Sequence, residues 1–257
     1  NYPIVNIYEK ESLKSKLSSG EYDVLTLVHN ETSCGMMNPL ADIMEVLKEF
    51  PDVISVIDTV SSFSVVSIPK DLWGIDVILT GSQKALAMPP GLALFSVSER
   101  AFKRAEEVKG RGYYFDFLEF RSNHTKGMTP STPVIPLIHA LNHTLKKIFE
   151  EGLENRFLRH EKLNQMVHNW VFNHGFELLP QKEFSSKSLT CVRNNLDIDV
   201  AGFVRTLREE KKISIDGGYG KIKGKTFRIS NMGDESEDSI NYLLSQMDDV
   251  LSKFLPS

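Results

Sequence analysis

The chain has 257 residues, 41% hydrophobic and 25% charged, with 30 basic against 34 acidic side chains. That length buries a substantial core, in one large domain or two modest ones. A net charge of −4 and a pI near 6.0, with the basic residues scattered, give no electrostatic case for nucleic acid or an anionic membrane as partner.

The first half alternates short apolar runs with helical patterns, the signature of parallel βαβ units. Val24 to His29 reads as a buried strand. Asn38-Pro39 then offers an N-cap followed by proline at the first helical position. Leu40, Ile43, Leu47 and Phe50 follow at helical spacing. Val53–Ile57, Val77–Leu79 and Leu92–Val97 read as three more strands, mostly β-branched or aliphatic as coverage on both faces requires. From Val134 the pattern is helical through His174, with a break at Gly152. Strands near Leu189–Arg193, Ile213–Ile215 and Thr226–Ser230 then surround a helix from about Val200 to Lys211. In the last helix Ile240, Leu243, Leu244, Met247, Leu251 and Phe254 form one apolar stripe, with acids at its start, where the helix dipole favours them. The expected division is a large α/β domain over residues 1–152 and a smaller α+β domain over residues 153–257.

The two cysteines, Cys34 and Cys191, lie far apart and outside any C-x-x-C spacing. Neither a disulfide framework nor a metal site is expected, and a reducing, cytoplasmic setting is. No run reaches the ~18 apolar residues of a membrane span. Asn1-Tyr2-Pro3 is neither a signal peptide nor an initiator start, so the chain is expected to begin within a longer protein. Leu255-Pro256-Ser257 is not a peroxisomal address.

In open α/β sheets chemistry collects where strands end. Three such places stand out: His29-Asn30-Glu31-Thr32-Ser33-Cys34-Gly35, Asp58-Thr59-Val60-Ser61-Ser62, and Thr80-Gly81-Ser82-Gln83-Lys84 with Pro89-Pro90-Gly91 close behind. A lysine at the end of an apolar strand suits a Schiff-base role, which needs a desolvated, partly neutral amine. A carboxylate against the cofactor's pyridine nitrogen would keep it protonated, and Asp58 is the candidate. The plainer alternatives stay open here. Most loop lysines are solvated, and a strand-end Asp is often a turn former or cap.

Gly81-Ser82-Gln83-Lys84-Ala85-Leu86 with Pro89-Pro90-Gly91 resembles the cofactor-lysine segment of class V aminotransferases of the alanine/serine–glyoxylate type. The similarity continues through Glu31-Thr32-Ser33-Cys34-Gly35, where relatives usually have Thr in place of Cys34, and through Asp58–Ser62. It returns at Thr129–Pro133, Gly217-Gly218-Tyr219-Gly220 and Phe227–Gly233.

The resemblance implies a pyridoxal-phosphate transferase of fold type I, a mostly parallel sheet flanked by helices plus a smaller C-terminal α+β domain. It implies that Lys84 holds the cofactor covalently and carries a proton between substrate and cofactor. Asp58 would pair with the pyridine nitrogen, Val60 would pack on the ring, and Thr32 would bond near the phenolic oxygen. Gln83 would contact the phosphate, with Thr129 and Thr132 contributed from a partner subunit of a homodimer. Arg228 would clamp the substrate carboxylate, a task suited to its planar fork.

The implied substrates are a small amino acid, alanine or serine, and a 2-oxo acid, glyoxylate or pyruvate. An aminoethylphosphonate-type transaminase and a non-catalytic dimerising fragment are the alternatives. A cysteine desulfurase fits less well, because its lysine typically follows histidine where Gln83 stands here. The resemblance also implies a preceding N-terminal third that cups the phosphate and stacks a ring on the cofactor. The glycines of residues 217–224 lack the context of a P-loop and read as a mobile loop leading to Arg228. His139, His143 and His160 read as structural, and Cys34 as a small buried filler.

Overall fold

The computed structural model describes residues 9–255; the readings of Asn1–Pro3 and of Pro256–Ser257 fall outside them. Helix α1 (Lys10–Leu17) presents Leu13 and Leu17 to the core, one turn apart. Strand β1 (Val24–Val28), the short pair β2 (Asn30–Glu31) and β3 (Met36–Met37), helix α2 (Leu40–Leu47) and strand β4 (Ile54–Asp58) follow. Next come α3 (Lys70–Trp73), β5 (Val77–Gly81), β6 (Ala93–Val97), α4 (Glu99–Glu107), α5 (Phe117–His124) and α6 (Ile135–Glu151). The chain then forms α7 (Leu153–Asn173), β7 (Glu177–Leu178), β8 (Leu189–Arg193), α8 (Val200–Lys211), β9 (Thr226–Ser230) and α9 (Glu237–Leu251).

The main sheet has the order β1-β4-β5-β6. Strands β1, β4 and β5 run parallel, with Val28 opposite Asp58 and Asp58 opposite Leu79, so their loops leave one common edge. The expectation that Leu92–Val97 continues the parallel set is corrected. Strand β6 is antiparallel to β5, with Gly81 opposite Ala93. The link between them holds no helix, and a parallel return would need a crossover. Nor is every strand covered on both faces. In β1, Leu25 and Leu27 are buried while Val24 and Val28 are 44% and 39% exposed.

The predicted N-cap at Asn38 is also corrected. Its amide donates to Val28 O at 2.8 Å, tying the loop to β1, and Pro39 takes the cap position. The break at Gly152 is present, with φ at 83°, a conformation that glycine adopts without a Cβ penalty.

The C-terminal part builds a three-stranded antiparallel sheet, β7-β8-β9. One large apolar cluster runs from Leu163 to Leu251, joining α7, β8, α8, β9 and α9. At its centre the fully buried Phe227 meets Phe176 and Phe203 edge-on, at 5.4 and 5.7 Å. The apolar cluster under β1 and β4 draws on Leu13 to Ile78 and is separate from it. The strand expected at Ile213–Ile215 does not form. Lys212 turns left-handed at φ 58 and Ile213 N–H returns to Leu207 O, closing α8, so only Asp216 bridges to Arg228. Helix α9 starts on a capping box between Ser236 and Ser239, with Glu237 and Asp238 in its first turn.

Candidate active site

The shared edge of β1, β4 and β5 brings the three predicted loops together. From β5 the chain enters a closed turn. Ser82 N–H donates to Leu92 O at 3.1 Å, Ser82 Oγ to Pro89 O at 2.8 Å, and Ala87 N–H to Lys84 O at 2.8 Å. Ala85 and Leu86 anchor the turn in the interior, and Lys84 is left lining a cleft. Among the described residues its ammonium has no hydrogen-bond or ion-pair partner.

The turn is braced from α7. The buried Arg156 donates to Ala85 O at 2.5 Å and to Glu151 Oε2 at 3.0 Å. Arg159 donates to Glu151 Oε1 at 2.6 Å and to Gly233 O and Glu235 O at 3.1 and 2.6 Å. The Arg159 hydrogen bond, against an opposing effect of burial and with help from Arg156, holds the Glu151 carboxyl below its ordinary range. Gly233 N–H donates to His160 Nε2 at 3.2 Å, so Nδ1 carries the proton and donates to Arg156 O at 2.8 Å. Burial pushes His160 down to about 4, so it is neutral and its role here is structural, as expected.

Asp58 closes β4. Its Oδ1 accepts from Val60 N–H at 2.8 Å, and its Oδ2 accepts nothing among the described residues. Next to it, His29 N–H donates to Asp58 O at 2.8 Å and the His29 ring pairs with Ser62 Oγ at 2.9 Å. Burial pushes His29 down to about 4. Thr32 Oγ1 and Ser61 Oγ lie 2.5 Å apart, joining the β1 and β4 loops. Asn30 is buried, and among the described residues neither of its side-chain polar atoms has a partner. Cys34 is buried and its thiol is raised chiefly by that burial, which suits the filler reading.

The cleft has a volume of about 640 Å3. Thr32, Gln83 and Lys84 line it together with Asp216, Arg228 and Met232. Phe227 and Ile229 are fully buried in the core, so the alternation of β9 turns Arg228 the other way, into the cleft. Arg228 Nε and NH2 take the Asp216 carboxylate at 3.1 and 2.8 Å, and NH1 donates to Thr32 O at 2.8 Å. The preceding loop is closed on itself, Gly224 N–H donating to Gly217 O at 2.9 Å.

The family model for class V aminotransferases matches residues 6–230. The chain belongs to that family. An uncharacterized aminotransferase of Methanocaldococcus jannaschii is 38% identical over 230 residues, covering 88% of this chain and 59% of the relative. The serine–glyoxylate aminotransferase of Arabidopsis thaliana is 35% identical, covering 88% and 58%. A solved alanine–glyoxylate aminotransferase from Nostoc sp. superposes with a TM-score of 0.89 at 30% identity, over 96% of this chain and 66% of that one. The chain thus spans less than two thirds of the length of these relatives. The fold is the fold-type I arrangement of pyridoxal-phosphate-dependent transferases.

For this class V chain, then, Lys84, Gln83, Thr32 and Arg228 share one cleft; Asp58 and Val60 do not line it but lie at the end of β4, whose loop reaches the cleft residue Thr32 through Ser61. Thr129 and Thr132 are exposed outside it, Thr129 Oγ1 donating to Ser131 O at 2.7 Å. His139 and His143 are exposed on α6. Among the described residues no helix is long and apolar enough to cross a membrane. Sequence reasoning missed Asp216, Asn30, Ser61 and the Arg156–Glu151–Arg159 brace. Asn30 and Ser61 lay inside quoted motifs, whereas the brace charges look like an ordinary solvated helix face.

Proposed function

We propose that the chain is the greater part of an aminotransferase that uses pyridoxal phosphate to move an amino group from alanine or serine to glyoxylate or pyruvate. The observation that carries the reading is one cleft lined both by Lys84, whose amine has no partner among the described residues, and by Arg228. The donor set fits the cofactor. Among the described residues, Asp58 has one oxygen oriented by Val60 N–H and one unengaged, Thr32 and Ser61 offer hydroxyls, and the buried Asn30 amide lacks a partner.

When bound, the cofactor supplies an electron-withdrawing ring that stabilises negative charge at the substrate α-carbon. Asp58 keeps the pyridine nitrogen protonated, and Val60 packs against the ring. Lys84 anchors the cofactor and moves the proton to and from the α-carbon, held in reach by the turn that Arg156 braces. Thr32 bonds the phenolic oxygen, and Gln83 bonds the phosphate. Thr129 and Thr132 complete the phosphate site of a partner subunit in a homodimer, which their exposure away from this cleft supports. Arg228 receives the substrate carboxylate. A cleft that houses cofactor and substrate together favours a short side chain on the donor. The same reading divides the chain at residues 1–152 and 153–257, supported by the separate apolar cluster of Leu163 to Leu251.

The test uses the full-length protein with alanine or serine as donor and glyoxylate or pyruvate as acceptor. Amino transfer should occur, together with a visible absorption band that Lys84→Ala removes and that borohydride bleaches while fixing the cofactor to the chain. Absence of transfer for every pair would overturn the reading, and transfer from 2-aminoethylphosphonate alone would redirect it.

A further inference from the structure

We propose that Asp216 is a resident carboxylate that holds the Arg228 fork until substrate arrives and then selects against substrates with a second carboxylate. The inference rests on the reading of Arg228 as the substrate-carboxylate clamp. Asp216 takes that fork in two-point fashion, at 3.1 Å from Nε and 2.8 Å from NH2. This is the geometry by which an arginine recognises a carboxylate. The third nitrogen is fixed on Thr32 O at 2.8 Å, so the guanidinium cannot swing to a fresh orientation. A substrate carboxylate that uses Nε and NH2 must therefore displace Asp216.

Once displaced, Asp216 stays at the cleft. Its backbone is bridged to Arg228, whose N–H donates to Asp216 O at 2.8 Å, and Gly218 N–H donates to Asp216 Oδ1 at 2.8 Å. The side chain is 48% exposed, so it has water to turn into while its charge remains beside the substrate. Glu235 lines the same cleft with the same sign. A donor with one carboxylate replaces one anion by another at the fork. A donor with two brings its second carboxylate against a released Asp216 and loses affinity by like-charge repulsion.

The experiment measures calorimetric affinity of the cofactor-loaded, full-length protein for propionate and succinate, which carry no amino group and are not turned over. Asp216→Asn should tighten propionate about 2- to 5-fold, the scale of a partly exposed ion pair. It should tighten succinate by a larger factor, so that the preference for propionate narrows. Asp216→Glu, which keeps the charge, should retain that preference, and melting curves check that each variant folds. Equal changes for both ligands, or none, would overturn the role of Asp216 and leave the clamp reading intact. Arg228→Gln should weaken propionate sharply; unchanged propionate binding in that variant would overturn the clamp reading itself, and this inference with it.

Discussion

The two ends of the parallel strands carry similar residues in opposite states. At the N-terminal edge of β5, the buried Asp76 accepts from Ser55 N–H, Ser98 Oγ and Arg100 Nε at 3.0, 2.8 and 2.9 Å. Burial alone would raise its carboxyl, but the bonds from Arg100, Ser55 and Ser98 outweigh that and hold it below its ordinary range. At the C-terminal edge, among the described residues, Asp58 has an idle oxygen, Asn30 an idle amide and Lys84 an idle amine. Hollows lie at both ends, one of about 460 Å3 beside Trp73 and Asp76, the other of about 640 Å3 at Lys84. Space does not tell the ends apart. A buried polar group left without a partner costs stability, so Asn30, with the half-buried Asp58 and Lys84 at the same edge, points to a ligand that completes them.

The largest expected effect separates the ends by function. Lys84→Ala should lower amino transfer by at least about 10²- to 10⁴-fold, the scale of lost proton transfer alone. Measured on the cofactor-free protein, the melting temperature should stay put, because the amine has no partner among the described residues, whereas the loaded protein would also lose the stabilisation that a bound cofactor brings. A large drop in the cofactor-free melting temperature would mean that Lys84 is structural, as Asp76 is.

Titration sharpens the contrast next. His29, His160 and His168 are buried, and burial pushes each down to about 4. The unfolded chain holds them near 6.5, so between those values it binds more protons than the folded one, and stability falls as pH falls. From pH 7.5 to 5.5 the loss should be on the order of 1 kcal/mol per histidine, roughly 3–4 kcal/mol together. Urea unfolding at the two pH values measures it; equal free energies would show that these imidazoles titrate normally in the fold.

Asp76→Ala comes third. It leaves Ser55 N–H buried without its acceptor and Arg100 without its counterion, for a cost of roughly 2–3 kcal/mol. Arg100 reaches solvent, and this keeps the cost below that of breaking a fully buried pair. Activity per folded molecule should be unchanged, since nothing at this edge faces the cleft.

Much of this architecture was legible in the residues, for physical reasons that differ by element. Strand-length apolar runs such as Val24–Val28 and the stripe of α9 announce themselves by period. Helices α4 and α5 did not, because Glu99–Glu107 buries only Ala101 and Phe117–His124 buries no residue. The direction of β6 depends on what links it to β5, and no local pattern carries that. Lys84 and Arg228 were found through motifs. The Asp216 carboxylate on Arg228 was not, since β9 and the loop before it meet only after the chain has folded back.

The smallest expected effect tests how the C-terminal edge is built rather than what it does. Gly35 sits at φ 67 between Thr32 and β3, and a Cβ placed there would lie 2.8 Å from Cys191 Cβ and 3.0 Å from Cys191 N. Gly35→Ala should cost about 1–2 kcal/mol, from the left-handed backbone together with that contact. It should also weaken propionate binding, because the loop that shifts carries the Thr32 carbonyl on which Arg228 rests. Cys191→Ala keeps the Cβ and the backbone nitrogen and removes only the sulfur. The penalty of Gly35→Ala, read by urea midpoint, should therefore be the same with Cys191 or with alanine at that position. Rescue by Cys191→Ala would place the conflict at the thiol, and the two buried cysteines would then set the loop's position in place of the backbone of β8.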